Sequence, residues 1–368
     1  MILQTAVLST TTLLTTTNHS ADNIANSLRN VLSEWGVLEK VTSIVTDNAA
    51  SMIKACELLQ KRNLPCFAHS LTLIIQDALS QENTKPVIMK CKRIVGYFKS
   101  STIAYEKFKE AQNDKQYSLL QETPTRWNSA YLMIKRIIET KGSISNVLLA
   151  TPKAPQTLTA DEIETLKDLV ELFGPFHEAT VQASASDSVT ISLIIPLTCD
   201  LYHKLNDLQT NMKTTEGYNT CTYVIRRLRV ILLHYENRTV TKIGTILDAS
   251  FKKEGFLSSN MADSAVKALE DEIASLGRAE SSSHYYEEPS TSPNVQLQPE
   301  QSLFKFINNK VAERKKSKRV DAVITLRQYL NKPNALHDID PLTYLKILHF
   351  IQFNLLFLII LLFIQQRK

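Results

Sequence analysis

The run Val41-Thr-Ser-Ile-Val-Thr46 is β-branched and apolar on both faces, which predicts a central strand of five or six residues. Asp47 and Asn48 punctuate it, and Met52, Ile53, Cys56 and Leu59 then recur at helical spacing over 49–59. Upstream, the threonine-rich residues 2–16 predict one or two strands. Ser20 is placed to cap a helix over 21–35, with Ile24, Leu28, Val31, Leu32 and Trp35 on one side. Downstream, Leu64-Pro-Cys-Phe-Ala-His69 leads into a helix that ends near Leu79. The order β–α–β–α–(β)–α predicts an α/β layer.

Past residue 85 the strand signals stop. Over 87–110, Val87, Cys91, Ile94, Val95 and Phe98 form a helical stripe, with Lys90, Lys92, Arg93 and Lys99 mostly away from it. Further helical runs fall near 125–141, 161–183, 189–208, 218–236 and 260–276, so an all-helical block over 85–276 follows the α/β layer of 1–84. Residues 277–301 lack periodicity and read as a flexible linker. A helix over 302–314 opens the segment 302–345 and ends in a basic cluster, Arg314-Lys-Lys-Ser-Lys-Arg319. That cluster reads as an import signal, a phosphate-contacting patch or plain solvated surface. The tail, 346–368, contains the 18-residue stretch 347–364, whose only polar members are His349, Gln352 and Asn354. Two readings stand for it: a membrane anchor at the short limit of a bilayer span, or an aberrant C-terminus.

Composition narrows the class. A chain of 368 residues that is 43% hydrophobic can bury one large core or two smaller ones. The net charge of +5 permits contact with nucleic acid without arguing for it. Cys56, Cys66, Cys91, Cys199 and Cys221 are scattered and odd in number, as in a protein with reduced thiols. With eight glycines and no G-x-G-x-x-G or Walker motif, a glycine-rich nucleotide loop is excluded.

The candidate chemistry centres on Asp47. A carboxylate at the C-terminal end of a buried strand lies where open α/β sheets place their sites, and it is also where a helix-capping acid would lie. Spacing alone leaves both open.

Four separated motifs add to this reading: residues 19–24 (His-Ser-Ala-Asp-Asn-Ile), 46–52 (Thr-Asp-Asn-Ala-Ala-Ser-Met), 66–69 (Cys-Phe-Ala-His) and 124–128 (Pro-Thr-Arg-Trp-Asn). Their order and approximate spacing resemble the hAT-superfamily transposases and the zinc finger BED domain-containing proteins derived from them. Ile246-Leu-Asp-Ala-Ser-Phe251 and Asp340-Pro-Leu342 resemble later family segments, so the likeness covers roughly 2–345. The resemblance implies α/β plus α: a partial RNase H-like domain interrupted by a large all-helical insertion. It also implies a chemistry with two divalent metals, Mg²⁺ or Mn²⁺, held by two aspartates and a glutamate.

Asp47 matches the second of those acids and would be the residual catalytic and metal-binding residue. The family's first acid lies upstream of residue 1, and its Ser-Glu-Arg segment has no counterpart here, so the chain reads as truncated at both ends and inactive. The alternative is part of an active or regulatory transposase whose missing ends lie in a longer isoform. Cys66 and His69 match the family's C-x-x-H pair. A structural zinc needs four ligands, so a buried Cys beside a hydrogen-bonded His is the alternative. No BED finger pattern is present, and zinc is not expected as a cofactor. Arg126 and Trp127 match the family's nucleic-acid-binding Arg-Trp pair, with a core tryptophan and its packed arginine as the alternative. The expected partners are DNA, weakly, and other proteins, in the nucleus. Dimerisation is not expected, since the family's dimerisation region is largely unmatched, and a membrane is the alternative destination through 347–364.

Overall fold

The computed structural model describes residues 8, 20–112, 116–123, 126–185, 189–282, 318–336, 339–342, 344 and 361–363. The expected strands over 2–16, the helix over 302–314 and most of the basic cluster lie outside them.

Helix α1 (Ala21–Glu34) starts where expected, with the Ser20 hydroxyl accepting from the Asn23 N–H at 3.4 Å. It stops at Gly36, whose φ of +61° is a left-handed helix-terminating conformation that glycine adopts without strain. Strand β1 (Ser43–Thr46) is buried throughout, followed by α2 (Ala50–Leu58), β2 (Arg62–Pro65) and α3 (Phe67–Leu79). The β1 side chains divide as a central strand's must: Ile44 joins the core of α1 and α2 with Ile24, Leu32 and Met52, while Val45 joins the helical core with Leu64, Phe67 and Leu71.

The sheet has the order β2-β1-β3 and is parallel, with Ser43 opposite Arg62 on one side and Leu361 on the other. Strand β3 (Leu361–Phe363) comes from the apolar tail, where the sequence suggested a membrane span or an aberrant end. Those three residues are extended, and their backbone pairs with the edge of β1 that β2 leaves open. Among the described residues no helix is long and apolar enough to cross a membrane.

The helical body has more breaks than the periodicity suggests. The run 87–110 divides into α4 (Lys85–Ser100) and α5 (Thr102–Glu110), because Ser101 leaves the helix and its hydroxyl caps the second one through the Ala104 N–H. The run near 125–141 is α6 (Trp127–Glu139), and α7 (Lys141–Ala150) follows it as a helix the periodicity did not mark. Helix α8 (Ala160–Ala183) opens with a Thr159/Glu162 capping box, and α9 (Ile194–Gln209), α10 (Thr215–Ile231) and α11 (Thr239–Leu247) follow. Helix α12 (Ser259–Ser282) continues six residues past the expected start of the linker, since Ala274, Leu276 and Ala279 favour helix strongly enough to carry Gly277.

Helix α13 (Lys318–Asn331) packs with α11 and α12 in a second core of Ile246, Leu269, Leu326 and Tyr329. The Ile246–Phe251 motif does its work here. The Ala335 N–H donates to the Ala249 carbonyl at 2.9 Å, and the buried Lys252 ammonium donates to the carbonyls of Lys332 and Pro333 at 2.6 and 3.1 Å. Burial pushes that ammonium below the usual lysine range.

Candidate functional site at the end of strand β1

The chain turns sharply after Thr46. Asn48 takes a φ of +68°, a left-handed conformation asparagine tolerates better than most side chains. Asp47 is half-buried, and one of its carboxylate oxygens accepts from the Ala49 N–H at 3.2 Å, closing an Asx turn onto the start of α2. The Thr46 hydroxyl accepts from the Asn48 N–H at 3.1 Å and donates to Asn63 Oδ1 at 3.0 Å. Asn63 Nδ2 reaches Asn48 Oδ1 at 3.5 Å. Asn63, on the neighbouring strand β2, thus holds the turn that presents Asp47.

Cys66 and His69 follow one strand over. The Cys66 N–H donates to the Thr46 carbonyl at 2.7 Å, extending the parallel ladder to the N-terminus of α3. Burial raises the Cys66 thiol, while the Ala68 and His69 amides oppose this and the nearby Asp47 charge adds to it. Cys66 therefore lies within electrostatic reach of Asp47, as a protonated thiol. His69 is half-buried in the first turn of α3.

The helical body grips this end of the sheet from the far side of the sequence. The Tyr235 hydroxyl donates to the Pro65 carbonyl at 2.9 Å and pairs with the Ser70 hydroxyl at 3.0 Å, and its ring meets Phe67 edge-on at 5.5 Å. Arg238 donates to the Asn63 carbonyl at 3.0 Å. Beside them the buried Glu236 accepts from the Leu257 N–H at 2.9 Å. Asn63, Tyr235 and Arg238 are absent from the sequence-based site. Their partners lie up to 175 residues away, and no local pattern marks such pairings.

Arg126 and Trp127 sit elsewhere, at the start of α6. Arg126 is exposed and occupies the N-cap position, while Trp127 is 3% exposed. The indole packs against His177 at 6.5 Å and Tyr131 at 6.4 Å, so stacking on a base would first require its withdrawal from the core.

A two-metal centre needs several converging carboxylates. Among the described residues no group of three or more His, Cys, Asp or Glu side chains is arranged to hold a metal ion. Asp47 also has one oxygen committed to Ala49. The described residues by themselves do not fit such a centre.

Comparison with known proteins agrees with the α/β start and helical body. The ZBED1 RNase-like domain model matches residues 2–68, and the ZBED1 RNase-like helical domain model matches 64–172. Human zinc finger BED domain-containing protein 4 is 25% identical over 351 residues, which is 90% of this chain and 29% of the relative. The Drosophila melanogaster transposable element Hobo transposase is 28% identical over 48% of this chain and 26% of its own length. The chain is similar to hAT-derived, BED-like proteins. Human zinc finger BED domain-containing protein 6 is also similar, at 25% identity over 62% of the chain and 22% of the relative. This BED-like chain spans less than a third of the length of each of these three relatives. The two family models meet at residues 64–68, the stretch of β2 and α3 that Tyr235 clasps through Pro65 and Phe67.

Proposed function

We propose that this protein is a transposase-derived, DNA-contacting nuclear factor that does not itself cut or join strands. Its α/β start is an RNase H-like layer and its helical body is the family's insertion. The observation that carries the reading is the state of Asp47. It stands at the sheet position where a metal-binding acid belongs, yet among the described residues it has no converging carboxylates and one oxygen serves an Asx turn. Two hard cations in near-octahedral oxygen shells require more acidic ligands than one half-buried side chain supplies. Similarity to the Hobo transposase and the BED proteins supports the ancestry and makes DNA the natural partner. Arg126 supplies an exposed cation for phosphate, with Trp127 anchoring the helix that presents it. The reading invokes no zinc at Cys66 and His69, since a structural zinc takes four ligands.

The test is strand cleavage by the purified full chain in Mg²⁺ or Mn²⁺, on duplex and nicked DNA. No cleavage above background is expected. Metal-dependent cleavage that disappears in Asp47→Ala would overturn the proposal.

A further inference from the structure

The net charge is not spread along the chain. Residues 85–141 hold twelve Lys and Arg against five Asp and Glu, a net of +7, while the remaining residues hold thirty against thirty-two, a net of −2. The excess basic charge of the protein therefore lies in the segment of α4 to α6.

Helix α4 is its centre, with five cations and no acid in 16 residues. Two are neutralised: Lys90 pairs with Glu162 at 2.6 Å and Lys92 with Glu122 at 2.7 Å. Lys85, Arg93 and Lys99 are exposed, and none has an ion-pair partner among the described residues. Their spacing puts them on one side of the helix, along roughly 21 Å of its axis. Between them lie Met89 and Gly96, and at Gly96 an added Cβ would meet nothing within 4 Å, so this face is low and open. At its C-terminal end, Lys99 joins residues 120–123 with Ser129 and Leu132 of α6 in lining a cleft of about 590 Å³. Glu122, the acid in that lining, is the one Lys92 neutralises. Exposed Arg126 caps the same helix α6, and exposed Lys135 lies within it.

We infer that the Lys85–Arg93–Lys99 face of α4, with the α4/α6 cleft beside it, is the surface that binds the phosphodiester backbone of duplex DNA. The inference rests on the DNA-contacting reading above and gives it a location. A row of unpaired cations repels itself, and a polyanion relieves that repulsion while releasing its own condensed counterions. A linear array of this length suits a phosphate backbone, and the low profile at Gly96 lets that backbone approach closely. An anionic membrane would want an apolar wedge as well, and this face offers only Met89.

The experiment measures binding of the full chain to a fluorescent random-sequence duplex by anisotropy between 50 and 200 mM salt. It compares the parent with Lys85→Gln/Arg93→Gln/Lys99→Gln and with a control triple at exposed cations elsewhere, Lys40→Gln/Lys54→Gln/Lys267→Gln. Each phosphate contact contributes roughly 0.9 to the slope of log affinity against log salt, so the α4 triple should lower the slope by about 2.7 and the control should leave it unchanged. Circular dichroism checks that both triples stay folded. Equal slopes in the parent and the α4 triple, with DNA still bound, would overturn this location and leave the DNA reading intact. No binding to DNA, with or without binding to phosphatidylserine vesicles, would overturn both.

Discussion

Two aspartates in different regions of this molecule show how a fold commits an acid. Asp168, at the crossing of α8 and α10, is 1% exposed and its carboxylate accepts from the Lys213 N–H, the Thr214 N–H at 2.8 Å and the Thr214 hydroxyl at 2.7 Å. Gly217 is required there, since a Cβ would fall 2.3 Å from an Asp168 oxygen. Asp47 is half-buried and accepts from one amide. The first acid is consumed by architecture. The second is placed by architecture and only lightly used by it, which is what a site residue, or the relic of one, looks like.

The contrast is easiest to break at Asp168. Asp168→Ala should cost about 3 kcal/mol in urea unfolding, because three part-buried donors lose their buried acceptor together. Gly217→Ala should be comparably damaging, and a loss below about 1 kcal/mol in both would mean that the crossing relaxes easily.

Next in size is the clasp between the helical body and the sheet. Tyr235→Phe keeps the ring against Phe67 and leaves the buried Pro65 carbonyl without its donor, for an expected loss of about 1–2 kcal/mol. Faster hydrogen exchange at the Cys66 amide in that variant would show that the clasp supports the Asp47 end of the sheet. Unchanged exchange there would separate the two.

Glu162 supplies a pH-dependent check within the helical body. Burial alone would raise its carboxyl, but the hydrogen bond from Lys90 and the Thr159 amide outweigh it and hold the group below its ordinary 4.5. The stabilisation is thus present above the unfolded pKa and is lost as pH falls through the lower folded value. Glu162→Gln should cost about 1 kcal/mol at pH 7, discounted for partial solvent exposure, and the gap to the parent should close below pH 4.5. A gap that persists in acid would assign the effect to packing.

The smallest effect belongs to Asp47→Ala, at about 0.5 kcal/mol or less, as expected for one Asx-turn hydrogen bond. A cost equal to that of Asp168→Ala would erase the contrast and make Asp47 a structural acid.

Much of the α/β start was legible in the sequence. The β-branched run before Asp47, the Ser20 cap and the stripes of α1, α2 and α4 are local signals, and the structure follows them. The four motifs gave the ancestry by their order alone, and the comparisons bear that out. The break at Ser101 was less legible, since periodicity continues in phase across a one-residue interruption, and α7 was not read at all. Of the apolar stretch 347–364 only β3 lies among the described residues, and apolarity without periodicity did not mark those three as a strand.

The sequence by itself determined most helical segments, the strand before Asp47, the acid at its end, the family resemblance and the uneven distribution of charge, because each is written in neighbouring residues. Tertiary structure alone decided that Trp127 faces inward, that Asn63, Tyr235 and Arg238 hold the Asp47 end of the sheet, and that Lys85, Arg93 and Lys99 have no ion-pair partner among the described residues. The physical reason is the same for all of them. Burial, hydrogen bonding and ion pairing depend on which distant elements meet, and pairings across as many as 175 residues leave no trace in local spacing.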